Sequence, residues 1–216
     1  MPRQPPLRQR RLKRRLSPRT KVEADLAVEL GADDDTLEFP WADGKLRYYD
    51  LKRQPELLAE IDEAGSAPEL RAFLAAMNSP HGGLETAKCD TWVSREIAPE
   101  EEIFGAPWKF GSYVDFLFSQ ESSRYCFPEH EQLALRITEL LKRAPEIPAA
   151  AELIIRRCFY HNATRVQDGF YITFYLFGYG DDELHARQRW AIALKLVENA
   201  MRQISGRIVS SDPAAW

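Results

Sequence analysis

The sequence predicts an α+β fold: an antiparallel sheet of about four strands in a ββα-ββα arrangement, with both long helices on one face. Three observations predict it. Residues 170–179 (Phe-Tyr-Ile-Thr-Phe-Tyr-Leu-Phe-Gly-Tyr) form an aromatic, β-branched run of strand character. Gly178-Tyr179-Gly180 closes that run, and Asp181-Asp182-Glu183 opens a long helical pattern in which Trp190, Leu194, Val197, Met201 and Ile204 recur at spacings of four and three. The same order recurs upstream. Strand-like alternation over 88–97 and 109–119 precedes a helix from about Pro128 with Leu133, Ile137, Leu140, Leu141 and Ala144 on one side. Strand pairs followed by helices suit an α+β sheet rather than a doubly wound parallel one.

Residues 1–21 lie apart from this pattern. They hold nine of the chain's 29 Lys and Arg residues and no Asp or Glu, which leaves 20 basic against 33 acidic residues in 22–216, a net charge of −13. With so few apolar residues the segment lacks the buried surface that offsets ordering entropy, so it reads as a disordered basic arm. Arg8, Arg10, Arg11, Arg14 and Arg15 are its candidate contacts for an anionic partner, either nucleic acid or an anionic surface such as an acidic patch on another copy. A solvated tail, a misplaced start codon and an organelle-targeting peptide are the competing accounts of the same composition.

The chain then divides into an extension over 22–86 and a main domain over 87–216. Residues 22–30 read as a short helix that Gly31 ends. Residues 36–41 and 45–51 read as strands about the Asp43-Gly44 turn. Pro55 and Pro68 each begin a helix, the first to about Ala64, the second carrying Leu70, Phe73, Leu74 and Met77. Residues 81–87 read as a loop. After Gly206 the chain reads as extended, with Ile208 and Val209 adding an edge strand.

Three cysteines, Cys89, Cys126 and Cys158, are too few and too widely spaced for a disulfide framework or a zinc site, and they point to free thiols and a cytoplasmic location. No apolar run is long enough to span a bilayer.

Period-two alternation divides the strands into two faces. Phe110, Val114, Phe116, Phe118, Phe170, Ile172, Phe174 and Leu176 share the apolar one. The opposite set holds Lys88, Asp90, Trp92, Ser94, Glu96, Lys109, Tyr113, Asp115, Arg156, Cys158, Tyr160, Tyr171, Thr173, Tyr175 and Tyr179. From it Trp92, Tyr113, Asp115, Tyr171, Thr173 and Tyr175 are the candidate binding residues, because aromatic side chains offer large contact area with few rotors. That face is either open or covered by residues 36–77.

The expected function is a non-enzymatic binding module whose acidic body engages a protein partner. A homodimer through the seam of the last helix is a further expectation. The enzyme alternative is a metal-assisted hydrolase at His161, Asp181, Asp182 and His185, on the suitability of carboxylates and imidazoles for divalent metals. No cofactor motif is present. The Gly178-Tyr179-Gly180 turn lacks a phosphate-binding fingerprint, and three carboxylates follow it where phosphate would approach.

Overall fold

The computed structural model describes residues 22–44, 46–144, 147–162 and 164–209. The basic arm, residues 1–21, lies outside them.

The elements in chain order are strands β1 (Glu23–Glu29) and β2 (Thr36–Phe39), the ribbon β3 (Ala42–Asp43) and β4 (Leu46–Arg47), a 3-10 turn (Pro55–Glu60), helices α1 (Asp62–Ser66) and α2 (Pro68–Met77), strand β5 (Leu84–Ser94), a second 3-10 turn (Glu101–Phe104), strand β6 (Trp108–Phe118), helices α3 (Glu121–Arg124) and α4 (Phe127–Lys142), strands β7 (Ala149–His161) and β8 (Val166–Gly180), and helix α5 (Glu183–Val209). The main sheet has six strands, not about four, in the order β1-β7-β8-β6-β5, with β2 following β1 along the same edge of β7. Pairings among β5, β6, β8 and β7 are antiparallel, whereas β1 and β2 pair parallel to β7.

One face of the sheet carries the main core. Val114, Phe116, Ile172, Phe174, Leu176, Leu153 and Ile155 meet Phe73 and Leu74 of α2, Leu133, Ile137 and Leu141 of α4, and Trp190, Leu194 and Val197 of α5. Residues two apart on a strand share a face, so the alternating apolar set makes this floor, with Ser112 the polar member between Phe110 and Val114. The Trp190 indole donates to Ser112 Oγ at 2.8 Å, which satisfies the polar atoms that this layer would otherwise bury unpaired.

The glycines at the end of β8 set how closely α5 approaches. A Cβ on Gly178 would stand 2.2 Å from the Trp190 backbone nitrogen, and one on Gly180 would stand 2.3 Å from that of Ala186. Gly178 and Gly180 therefore serve helix–strand contact, which explains the Gly-Tyr-Gly turn without a ligand. Asp182 caps the helix, accepting from the His185 backbone N–H at 2.8 Å.

Several local expectations are corrected. Residues 23–29 form a strand rather than a helix, because the exposed edge of β7 offers a ladder of backbone partners that a short, weakly amphipathic helix lacks. The hairpin about Gly44 (φ 60°) is confined to β3 and β4, while Thr36–Phe39 pairs with β7 instead. The helix expected from Pro55 is a 3-10 turn followed by α1. β5 begins at Leu84, inside the expected loop. α5 continues past Gly206 to Val209, so the expected extended tail is helical there; residues 210–216 lie outside the described part. The α5 seam is consumed by this chain's own core: Trp190, Leu194, Val197, Met201 and Ile204 are all buried. Cys89, Cys126 and Cys158 are free. Among the described residues no helix is long and apolar enough to cross a membrane.

Candidate functional site

Opposite the three helices, the sheet presents its second face, and strand register orders that face into rows. The first row runs Glu23, Ala150, Phe177, Gly111, Trp92 from β1 to β5. The second runs Asp25, Glu152, Tyr175, Tyr113, Asp90. The third contains Ala27, Ile154, Thr173 and Asp115, and the fourth Glu29, Arg156 and Tyr171.

Both ends of this face are covered. At one end Leu37 and Phe39 of β2, with Trp41 and Tyr48, form a second apolar cluster over Leu117, Cys158, Tyr160 and Tyr171. The part-buried Arg124 guanidinium lies over the rings of Phe39 and Tyr160 and meets Glu85 at 2.5 Å. At the other end Phe104 stacks on Tyr179 with centroids 4.1 Å apart. Glu101 accepts there from the Tyr179 hydroxyl at 2.7 Å and from Lys109 Nζ at 2.9 Å. Burial works against the charge on Glu101, but the Ala98 N–H, Lys109 and Tyr179 hold its carboxyl below the ordinary value.

Between the two covers lies an aromatic strip. Trp92 meets Phe177 edge-on at 5.9 Å, Phe177 lies nearly parallel to Tyr175 at 6.4 Å, and Tyr175 meets Tyr113 at 5.9 Å. All four rings are half-buried. Gly111 makes room for the strip, since a Cβ there would stand 2.7 Å from the Trp92 ring.

Carboxylates flank the rings. Asp25 and Glu152 on one side and Asp90 on the other are exposed, and none forms an ion pair with a described residue. Burial, with Glu29 and Asp25 nearby, raises the Glu152 carboxyl above its ordinary range. The cations beside the strip are already engaged. Lys109 is held by Glu101, Arg156 by Glu29 at 2.8 Å and by Asp35 at 3.7 Å, and Lys88 lies over the Trp41 ring.

Asp115 is 5% exposed and accepts from the Thr173 hydroxyl at 2.8 Å, which in turn accepts from Arg156 at 3.2 Å. Burial pushes the Asp115 carboxyl up to about 7 against the opposing pull of Thr173, Lys88 and Arg156. Beyond Asp90 and Tyr113 a cavity of about 320 Å3 opens at the β5 edge, lined also by Trp41, Tyr49, Asp62 and Glu63. Burial and nearby carboxylates push the thiol of Cys89 on its wall up to about 12, which disfavours the thiolate.

All six sequence-selected residues lie on this one face. Trp92, Tyr113 and Tyr175 are partly open, while Asp115, Thr173 and Tyr171 are buried, Tyr171 beneath the β2 cluster. Three further residues of this face were not selected from the sequence. Phe177 shares the parity of Tyr175 but is apolar, and Glu152 shares the parity of Arg156, so alternation pointed to both. Asp25 carried no such signal, because its segment reads as helical.

The four residues of the metal alternative do not come together in one site. His161 pairs with Val166 at the start of β8, whereas Asp181 and Asp182 follow its end at Gly180, roughly 50 Å of strand away. His161 pairs with Glu38, His185 with Asp182 at 2.8 Å, and no group of three metal-ligating side chains occurs among the described residues. The adjacency of β7 and β8 suggested proximity, but antiparallel pairing sends the two ends apart.

No protein-family model, curated protein or solved structure matches this chain.

Proposed function

We propose that the open sheet face is the docking surface of a non-enzymatic interaction module, and that it takes an extended basic segment of a protein partner. The observation that carries this reading is the second row: two half-exposed tyrosines in register with three exposed carboxylates, Asp25, Glu152 and Asp90. Guanidinium and ammonium groups are attracted to aromatic faces and to carboxylates alike, so a strip bordered this way suits Arg and Lys side chains. Each exposed charge pair contributes about 0.2–1 kcal/mol and each ring–cation contact about 0.5–2 kcal/mol. A handful of such contacts corresponds to a weak, salt-sensitive complex with an electrostatically assisted on-rate. The cavity beyond Asp90 offers depth for one side chain. A soluble, cytoplasmic setting suits this reading and its free thiols.

The test is a fluorescence-anisotropy titration with labelled Arg/Lys-rich and Asp/Glu-rich peptides of equal length. Full-length protein should bind only the basic peptide. In a full-length background with Arg8, Arg10, Arg11, Arg14 and Arg15 replaced by Gln, Glu152→Gln with Asp90→Asn should weaken that binding about tenfold at low salt, and Tyr175→Ala by a similar factor. Unchanged affinity in both variants, with the fold intact by circular dichroism, would refute the assignment of this face.

A further inference from the structure

We propose that the chain's own basic arm, residues 1–21, docks in cis on the acidic aromatic strip and competes there with the partner segment. This rests on the proposed reading of the face.

Position and reach support the arm as occupant. The described chain enters the sheet through Glu23, which stands in the first row in register with Ala150, Phe177, Gly111 and Trp92. The next row carries Asp25, Glu152, Tyr175, Tyr113 and Asp90. Crossing from β1 to β5 covers four strand spacings, about 19 Å. Arg15 precedes Glu23 by eight residues, which an extended chain spans in about 26 Å, so Arg10 to Arg15 come within reach of every carboxylate in the row.

Charge complementarity supports it as well. Residues 1–21 hold nine Lys and Arg and no acid. Asp25, Glu152 and Asp90 form no ion pair with a described residue, while Arg156 and Lys109 are neutralised by Glu29 and Glu101. The local excess of negative charge therefore faces the place where the most basic part of the chain begins. A short tether raises the effective concentration of the arm at this surface to the order of millimolar, so a weak contact is sufficient for substantial occupancy. With an arm affinity of about 100 μM, millimolar effective concentration weakens a competing peptide about tenfold.

The experiment compares full-length wild type with a full-length variant carrying Arg8, Arg10, Arg11, Arg14 and Arg15 all replaced by Gln. The probe is a fluorescein-labelled peptide with the sequence of residues 7–16, titrated at 50 mM and 500 mM salt. The expected result is about tenfold tighter binding to the variant at 50 mM salt, with the difference gone at 500 mM. In wild type, Glu152→Gln with Asp90→Asn should also speed tryptic cleavage within the arm several-fold. Measurable but equal peptide affinity in wild type and variant overturns self-docking while leaving the face as a basic-peptide site. That result, together with binding of mixed-sequence DNA by wild type and not by the variant, would assign the arm to nucleic acid instead. No peptide binding to either protein overturns both the self-docking and the reading of the face.

Discussion

Replacing Asp115 with Asn should make the protein more stable at neutral and alkaline pH. Asp115 is 5% exposed, and burial raises its carboxyl from 3.8 to about 7. A carboxyl whose folded-state pKa is raised binds its proton more tightly in the native state than in the unfolded chain. Its effect on stability is therefore absent below about pH 4, grows as a penalty between about 4 and 7, and is constant above 7. The slope in that window is about 1.4 kcal/mol per pH unit, and the full shift corresponds to about 4 kcal/mol. Asn keeps an oxygen to accept from the Thr173 hydroxyl, so the local hydrogen bond survives while the charge does not. The assay is urea unfolding of wild type and Asp115→Asn at pH 5, 6, 7 and 8. Glu69, Glu101 and Asp182 have lowered values and act below the window, losing their contribution as pH falls. The difference between the two proteins isolates Asp115 from these and from His130. It should widen in favour of the variant from pH 5 to pH 7 and then level off. A constant difference across the range would show that the carboxyl is not held protonated by burial.

Other expectations follow from the packing. Gly178→Ala drives a methyl group into the α5 backbone and should cost about 3 kcal/mol, read as a lower urea midpoint. Arg124→Ala leaves the Glu85 carboxylate, whose side chain is 8% exposed, without its cation and should cost about 3 kcal/mol, whereas replacing both residues together should cost less than the sum. Burial lowers the His130 pKa, so the unfolded chain gains a proton that the native ring resists; His130→Gln should flatten the loss of stability as pH falls below 6.5, measured by thermal melts. Cys158 is fully buried with a thiol pushed up to about 12, so native protein at pH 8 should leave it unalkylated by iodoacetamide until denaturant is added.

Much of the candidate site was legible before the fold. Alternation along 109–119 and 170–179 assigned Tyr113, Asp115, Tyr171, Thr173 and Tyr175 to one face, because side chains on a strand reverse direction at every residue wherever that strand pairs. Helical spacing named the buried residues of α2, α4 and α5 for the same reason: the period is a property of the local backbone. Residues 23–29 were misread because their composition satisfies a weak helical pattern, and only the free edge of β7 decides that they are a strand. The β1 contribution to the acidic row, Asp25 beside Glu152, was consequently invisible.

Sequence alone thus determined the class of fold, the faces of the central strands and the charge contrast between residues 1–21 and the rest, all of which rest on periodicity and composition. Tertiary structure decided which half of the aromatic face stays open, that Asp115 and Thr173 are enclosed, and that Gly178 and Gly180 serve helix contact. It also decided that His161 stands at the far end of the sheet from Asp181. Those outcomes depend on which distant segments cover or pair with which strand, and strand neighbours are chosen by the burial and hydrogen bonding of the whole chain rather than by local pattern.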